Sequence, residues 1–212
     1  MFVPAVFGKN MRMIQIVGAL VCLLGLSVHA YEQPKYQVIA EYSDYEIREY
    51  EPYLVAETLV DSTFDRSGGA GFRRLASYIF GENTSSADGS VKMNMTAPVA
   101  RQKVPGDVEE RHSYWFVMED KYDKETLPLP KDSRVQIREV PRRQMAALRY
   151  SGRINEANFL RHASRLEKLL EMDDYVSRGE PQAAVYNGPF TLPFMRRNEV
   201  LMEIVPKKAH LE

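Results

Sequence analysis

Phe72-Arg73-Arg74-Leu75-Ala76-Ser77 returns 87 residues later as Phe159-Leu160-Arg161-His162-Ala163-Ser164. Two further echoes flank it. Ile47-Arg48-Glu49 recurs as Ile137-Arg138-Glu139 at an offset of 90, and Thr96-Ala97-Pro98-Val99 as Thr191-Leu192-Pro193-Phe194 at an offset of 95. Three echoes in one order at nearly one spacing point to an internal duplication. In the first copy, Tyr45 and Ile47, then Leu54, Ala56, Thr58 and Val60, alternate as two strands joined at Glu51-Pro52. Gly68-Gly69-Ala70-Gly71 breaks that pattern, and Phe72, Leu75, Ala76 and Ile79 follow at helical spacing until Gly81. Strands are predicted over 91–96, 99–104 and 113–119. In the second copy a helix starts at Asn155, a favourable N-cap, with Phe159, Ala163, Leu166, Leu169 and Leu170 as its apolar stripe. Residues 123–131, with Pro128 and Pro130, connect the halves. The expected fold class is therefore α+β: two strand–helix–strand units sharing one sheet system, with a helix on each. Neither half alone has the apolar surface for its own core, so both belong to one domain.

The remaining composition bounds the function. The chain has 212 residues, 44% hydrophobic and 27% charged, with 28 Lys+Arg against 29 Asp+Glu. Such a balance lacks the basic field that grips nucleic acid by its phosphates. Lys9 and Arg12 precede an uncharged run over 13–28, and Val28-His29-Ala30 supplies a cleavage site. This reads as a secretory signal over 1–30, too short to be a comfortable bilayer span. Its removal takes away two cations and no acid, moving the net charge from −1 to −3, and takes away Cys22 as well. The mature domain, 31–212, is then exported (periplasmic or secreted), free of thiols and without a stable membrane span.

Catalytic signatures are missing. There is no Gly-x-Ser-x-Gly elbow, and the cysteine lies in the signal. Gly69-Ala70-Gly71 lacks the third glycine of a dinucleotide fingerprint. His112, His162 and His210 are far apart and lack metal-binding spacing. Asn83-Thr84-Ser85 and Asn94-Met95-Thr96 match the glycosylation triplet. On chemistry alone the chain is a binding protein, with no catalytic residue and no metal site assigned.

More specific motifs follow. Tyr45-Glu46-Ile47-Arg48-Glu49-Tyr50, the stretch from Gly71 to Asn83, Lys92-Met93-Asn94-Met95-Thr96-Ala97-Pro98-Val99, Tyr186-Asn187-Gly188-Pro189-Phe190 and Arg196-Arg197-Asn198-Glu199-Val200 together resemble the SOUL haem-binding protein family. The resemblance runs from about Tyr36 to Val205. It implies a distorted β-barrel of two pseudo-repeated units with two flanking helices, similar to effector-binding domains of bacterial regulators. It also implies a haem or other tetrapyrrole ligand in an apolar groove beside the first helix. The alternative is a carrier or effector-binding module of the same barrel type for other apolar small molecules. Glu49 stands where some members carry a histidine proposed as haem ligand, and Gly69 and Leu192 stand at positions matching a basic clamp for the propionates. Arg73 or Arg74 is the available substitute for that clamp.

The expected ligand-contacting residues are Phe72, Leu75, Ala76 and Ile79 on the helix, with Phe72 and Leu75 nearest the groove, and Met93 and Met95 on one face of a strand. Each also has a plain packing role. A thioether can ligate haem iron, yet a Met in a strand usually packs. His162 falls within the second helix's apolar stripe and reads as a hydrogen-bonded core residue. Trp115 and Phe116 must face opposite sides of one strand. Arg196, Arg197 and Glu199 read as surface or sheet-edge charges that pin the last strand.

Overall fold

The computed structural model describes residues 31–85, 89–106 and 110–207. The expected signal segment, Cys22 and His210 lie outside the described residues. In chain order the elements are β1 (Tyr36–Glu41), β2 (Glu46–Tyr50), β3 (Tyr53–Asp61), α1 (Phe64–Ile79), β4 (Asn83–Thr84), β5 (Val99–Lys103), β6 (Arg111–Val117), β7 (Leu129–Pro130), β8 (Val135–Val140), β9 (Arg143–Tyr150), α2 (Glu156–Met172), β10 (Tyr175–Val185) and β11 (Asn198–Pro206). Nine strands form one sheet in the order β1-β2-β9-β11-β10-β5-β6-β3-β8, and β4 pairs with β7. Among the described residues this is an α+β architecture with two α-helices.

Two short links dictate the curvature. Only Glu51-Pro52 separates β2 from β3, and only Pro141-Arg142 separates β8 from β9. Yet each pair lies six steps apart in the sheet, roughly 29 Å if the sheet were flat. Three Cα steps reach roughly 11 Å at most. The sheet must therefore curl until its far strands meet, and Tyr50 and Tyr53 do meet, with ring centroids 6.3 Å apart. The result is a half-barrel running from β1 to β8.

Both faces of the curled sheet are buried, for different reasons. Residues directly opposite on paired strands share a face. One face carries Ala146, Leu148, Val200 and Ala183 under α2, and Ala56, Tyr114 and Phe116 under α1. The concave face buries Trp115, Val55, Ala100 and Val140 beside Tyr50, Met145, Ala147, Ala184 and Leu201. Trp115 and Phe116 thus point to opposite faces.

Several expectations need correction. The glycines do not precede α1 but lie inside it: the helix starts at Phe64, and Gly68 to Gly71 form its second turn. Gly71 is there because the helix rides directly on an aromatic ring. A Cβ at Gly71 would sit 2.6 Å from Tyr114 Cγ. The strand predicted over 91–96 is absent, and this segment runs beside α1 with Met93 N–H donating to Ile79 O at 2.8 Å. Asn155 caps α2 as expected, its side chain accepting from Asn158 N–H at 2.9 Å. Asn83 is fully buried, donating to Tyr78 O and Val91 O, each at 2.7 Å, so its glycosylation triplet is inaccessible.

Exchanging β2 with β8, β3 with β9, β5 with β10 and β6 with β11 leaves the order of those eight strands unchanged when it is read from the other end. The Ile47 and Ile137 echoes lie on exchanged strands, and the Phe72 and Phe159 echoes on the two helices. The third echo does not fit, because Thr96 precedes β5 whereas Thr191 lies between β10 and β11.

Candidate ligand groove

The helices stand over different strands. α1 follows β6: Phe64 meets His112 edge-on at 5.9 Å, Ser67 Oγ is 2.6 Å from Tyr114 Oη, and Phe72 meets Phe116 edge-on at 5.5 Å. α2 covers β9 and β11, its Phe159 stacking on Phe64 at 5.2 Å and its His162 on Tyr150 at 4.1 Å. Between them run β5 and the end of β10 at Val185, while Ala183 of β10 lies under α2. Register places Val185, Val99 and Phe116 side by side on the helix face, and Ala183, Arg101 and Tyr114 one pleat further along. Ala183 and Arg101 are buried beneath the Phe64–Phe159 stack, but Val185 and Val99 are only half-buried in mid-sheet. This half-buried strip is the candidate floor for a ligand.

Its walls are apolar. On one side stands Phe72, 41% exposed although its ring touches Phe116. On the other rises the β10–β11 loop, carrying Phe190 (98% exposed), Leu192 (54%), Phe194 (74%) and Met195 (64%). The base of this loop, Val185, lies two strand spacings from Phe116, roughly 10 Å. The loop is ordered by its own hydrogen bonds. Arg196 donates to Thr191 O and Pro189 O at 2.8 Å each, Met195 N–H to Leu192 O at 2.9 Å, and Gly152 N–H to Pro193 O at 2.8 Å. A built loop that displays four large apolar side chains marks an interaction surface.

The six expected contact residues divide accordingly. Phe72 faces the groove. Leu75, Ile79 and Met93 are buried in the core between α1 and the sheet, so the groove reading fails for them; Ala76 is buried on the flank beside Phe72. Met95 is half-buried against the same core, on the segment leading to Val99. The loop residues Phe190, Phe194 and Met195 were not anticipated, although Phe-Thr-Leu-Pro-Phe-Met between Pro189 and Arg196 is an aperiodic apolar run in a turn. Of the two helix cations, Arg74 is committed to Thr58 Oγ1 at 2.5 Å and Leu59 O at 2.9 Å. Arg73 is exposed, its guanidinium 3.3 Å from where a Gly69 Cβ would lie. Both also line a cavity of about 440 Å³ with Ala70, Tyr78, Asp132 and Arg134.

Two buried polar groups on the helix face lack a full set of partners. Arg101 donates from Nη1 to Phe64 O at 2.7 Å and to Tyr114 Oη at 2.8 Å, while among the described residues its Nε and Nη2 have no hydrogen-bond partner. Asn198, opposite Val185, likewise has an unpartnered Oδ1.

The concave face corrects the reading of Glu199. It is fully buried and accepts from Arg48, Arg197 and Tyr186 at 2.7–3.1 Å. Burial pushes its carboxyl pKa up, but the bonds and charge of Arg48, reinforced by Arg197, outweigh this and hold it below the usual range. β11 is central in the sheet rather than an edge, so its charges had to be neutralised internally.

Residues 31–203 match the family described as SOUL heme-binding protein. The chain belongs to this family. It is similar to Heme-binding protein 1 of Xenopus laevis, 28% identical over 160 residues that cover 74% of this chain and 81% of the relative. Heme-binding protein 1 of Mus musculus is 26% identical over 145 residues, 67% and 74% of the two chains. Among solved structures, the EcmrR C-terminal domain shares the fold at a TM-score of 0.58 and 12% identity, covering 81% of this chain and 98% of that one. A hydrolase from Listeria innocua shares it at 0.52 and 10% identity, covering 77% and 94%. At such identity these two show the fold alone. Glu49, at the position of the histidine proposed in some members, lies on β2, four strands from β5, and pairs with Arg142 at 2.9 Å. It takes no part in this groove. Gly69 and Leu192, the expected clamp positions, fall on the groove's opposite sides.

Proposed function

We propose that the protein is an exported haem- or tetrapyrrole-binding protein that seats its ligand on Val99 and Val185, between Phe72 and the β10–β11 loop. The observation that carries this reading is the ordered display of Phe190, Leu192, Phe194 and Met195 across a half-open apolar floor from Phe72. Family membership supports the ligand class. The donor set suits a macrocycle held by its faces: Phe72 and the loop would cover it, Arg73 stands at the rim for a propionate, and Met95 offers a thioether. His162 directs Nδ1 at Asn158 O, 2.7 Å away, which fixes the ring on α2 against Tyr150. The chain binds and shields, and no catalytic role is assigned to it. The same face-on holding would serve another flat apolar carboxylic acid. Export rests on the signal read over 1–30, and N-terminal sequencing of native protein starting at Tyr31 would agree with it. The mirrored strand order, together with two of the three sequence echoes, supports descent from a duplicated strand–helix–strand unit.

Hemin titration followed by absorbance tests the groove. Wild type is expected to saturate at one equivalent. Phe72→Asp and Phe194→Asp are expected to weaken binding at least tenfold; Phe194→Asp leaves the melting temperature unchanged because its side chain is 74% exposed, whereas Phe72→Asp also gives up the contact with Phe116, about 0.5–1.5 kcal/mol. Unchanged affinity in both variants would refute the site.

A further inference from the structure

We propose that the β10–β11 loop is a membrane-contacting element, which sets its apolar side chains into the interfacial layer of a phospholipid bilayer. This contact is independent of what the groove holds.

A groove wall turns part of its surface toward the floor, but Phe190 is 98% exposed and touches almost nothing of its own chain. From Pro189 to Met195 the only polar side chain is that of Thr191. An apolar cluster displayed in this way marks a surface for a protein or a membrane. The backbone favours the membrane. A segment entering the apolar edge of a bilayer must satisfy its own polar groups. Here Leu192 O accepts from Met195 N–H at 2.9 Å, and Pro193 O accepts from Gly152 N–H at 2.8 Å and Arg196 N–H at 3.2 Å. Pro189 O and Thr191 O accept from the Arg196 guanidinium at 2.8 Å each. Pro189 and Pro193 bring no N–H that needs a partner. A protein partner would look for about one hydrogen bond per 100–200 Å² of contact, whereas these carbonyls are already spent inside the loop.

Charge points to the same occupant. No acid occurs between Glu180 and Glu199, whereas Arg196 and Arg197 close the loop. Arg196 spends its bonds on carbonyls, so among the described residues no acid neutralises it. Arg153 is exposed on the neighbouring turn, which the bond from Gly152 to Pro193 ties to the loop. Exposed Phe, Leu and Met above a base of arginines is the chemistry of an interfacial segment. Its rings and alkyl chains enter the boundary between headgroups and acyl chains, while its cations stay among the lipid phosphates.

Vesicle binding by the form beginning at Tyr31, which keeps every strand and helix described above, tests the proposal without any groove ligand. The vesicles are phosphatidylcholine with phosphatidylglycerol. Wild type is expected to sediment with them, and the double variant Phe190→Ser, Phe194→Ser to partition at least tenfold less while melting at the same temperature. Depth is read by fluorescence. The single tryptophan, Trp115, is only 3% exposed and does not report on lipid. In Phe190→Trp, vesicles should therefore shift the emission to the blue, and lipids brominated along the acyl chain should quench it. Wild type that ignores vesicles, binding that survives the double variant, or an indole at position 190 left unquenched would each overturn the proposal. Self-association without lipid that disappears in the double variant, with no vesicle binding, would give the loop to a second copy of the chain instead.

Discussion

Gly71→Ala should destabilise the protein, although alanine is the better helix former. On propensity alone the change gains about 1 kcal/mol. The new methyl, however, would lie 2.6 Å from Tyr114 Cγ, 2.9 Å from Cδ2 and 3.1 Å from Cβ. These atoms are at the root of the side chain and cannot swing aside. The far end is pinned as well, with Tyr114 Oη bonded to Ser67 at 2.6 Å and Arg101 at 2.8 Å. α1 must therefore lift off the sheet, and overpacking of this kind costs about 1–3 kcal/mol or more. With root atoms this close, a loss toward the upper end, about 3 kcal/mol, outweighs the propensity gain. The expected net loss of about 2 kcal/mol lowers the melting temperature by roughly 4–8 °C in a chain of this size. Gly69→Ala is the internal control. Its methyl would meet only the mobile end of Arg73, at 3.3 Å on an exposed face. That variant should melt up to about 4 °C higher. Calorimetry on the two variants gives opposite signs if α1 rests on Tyr114. A Gly71→Ala protein as stable as wild type would refute that packing.

The buried Glu199 network and the second helix supply two more tests. Glu199→Gln leaves Arg48 and Arg197 without their shared counter-charge and should cost about 3–5 kcal/mol. Because the folded pKa of Glu199 is depressed, its contribution is full above the unfolded carboxyl value of about 4.3 and is lost as pH falls through the lower folded value. Urea denaturation between pH 7 and pH 3 should show a downward slope in wild type that is reduced in the variant, and parallel curves would contradict it. His162→Ala should leave the hemin spectrum unchanged while removing about 1 kcal/mol of stacking on Tyr150, read by thermal melting. Loss of the spectrum in this variant would move the ligand to the second helix.

What the sequence made legible follows from how local each signal is. α2 was readable because cap, stripe and end coincide within seventeen residues. The start of α1 was misplaced because Gly68, Gly69 and Gly71 look like a break, and only the ring of Tyr114 beneath them explains why a helix uses them. Met93 and Met95 looked like a strand, but their backbone is taken by α1 and by irregular contacts. Glu199 reads as a surface charge in any linear view, since its partner Arg48 meets it only across β2, β9 and β11. Arg101 was likewise hidden, one of two cations, with Lys103, that alternate along β5. Phe72 was readable as an exposed apolar residue of α1, while Phe190, Phe194 and Met195 lie in a turn that carries no periodicity to read.

The central claim is that an apolar carboxylic ligand lies on the helix face, between Phe72 and the β10–β11 loop. Paramagnetic broadening of backbone amide resonances by bound hemin tests this most directly. Amides of residues 68–76, Val99, Val185 and 188–195 should broaden at one equivalent, while those of Arg48, Tyr50 and Glu199 on the concave face stay sharp. Broadening centred on the concave face, with residues 188–195 unaffected, would contradict it.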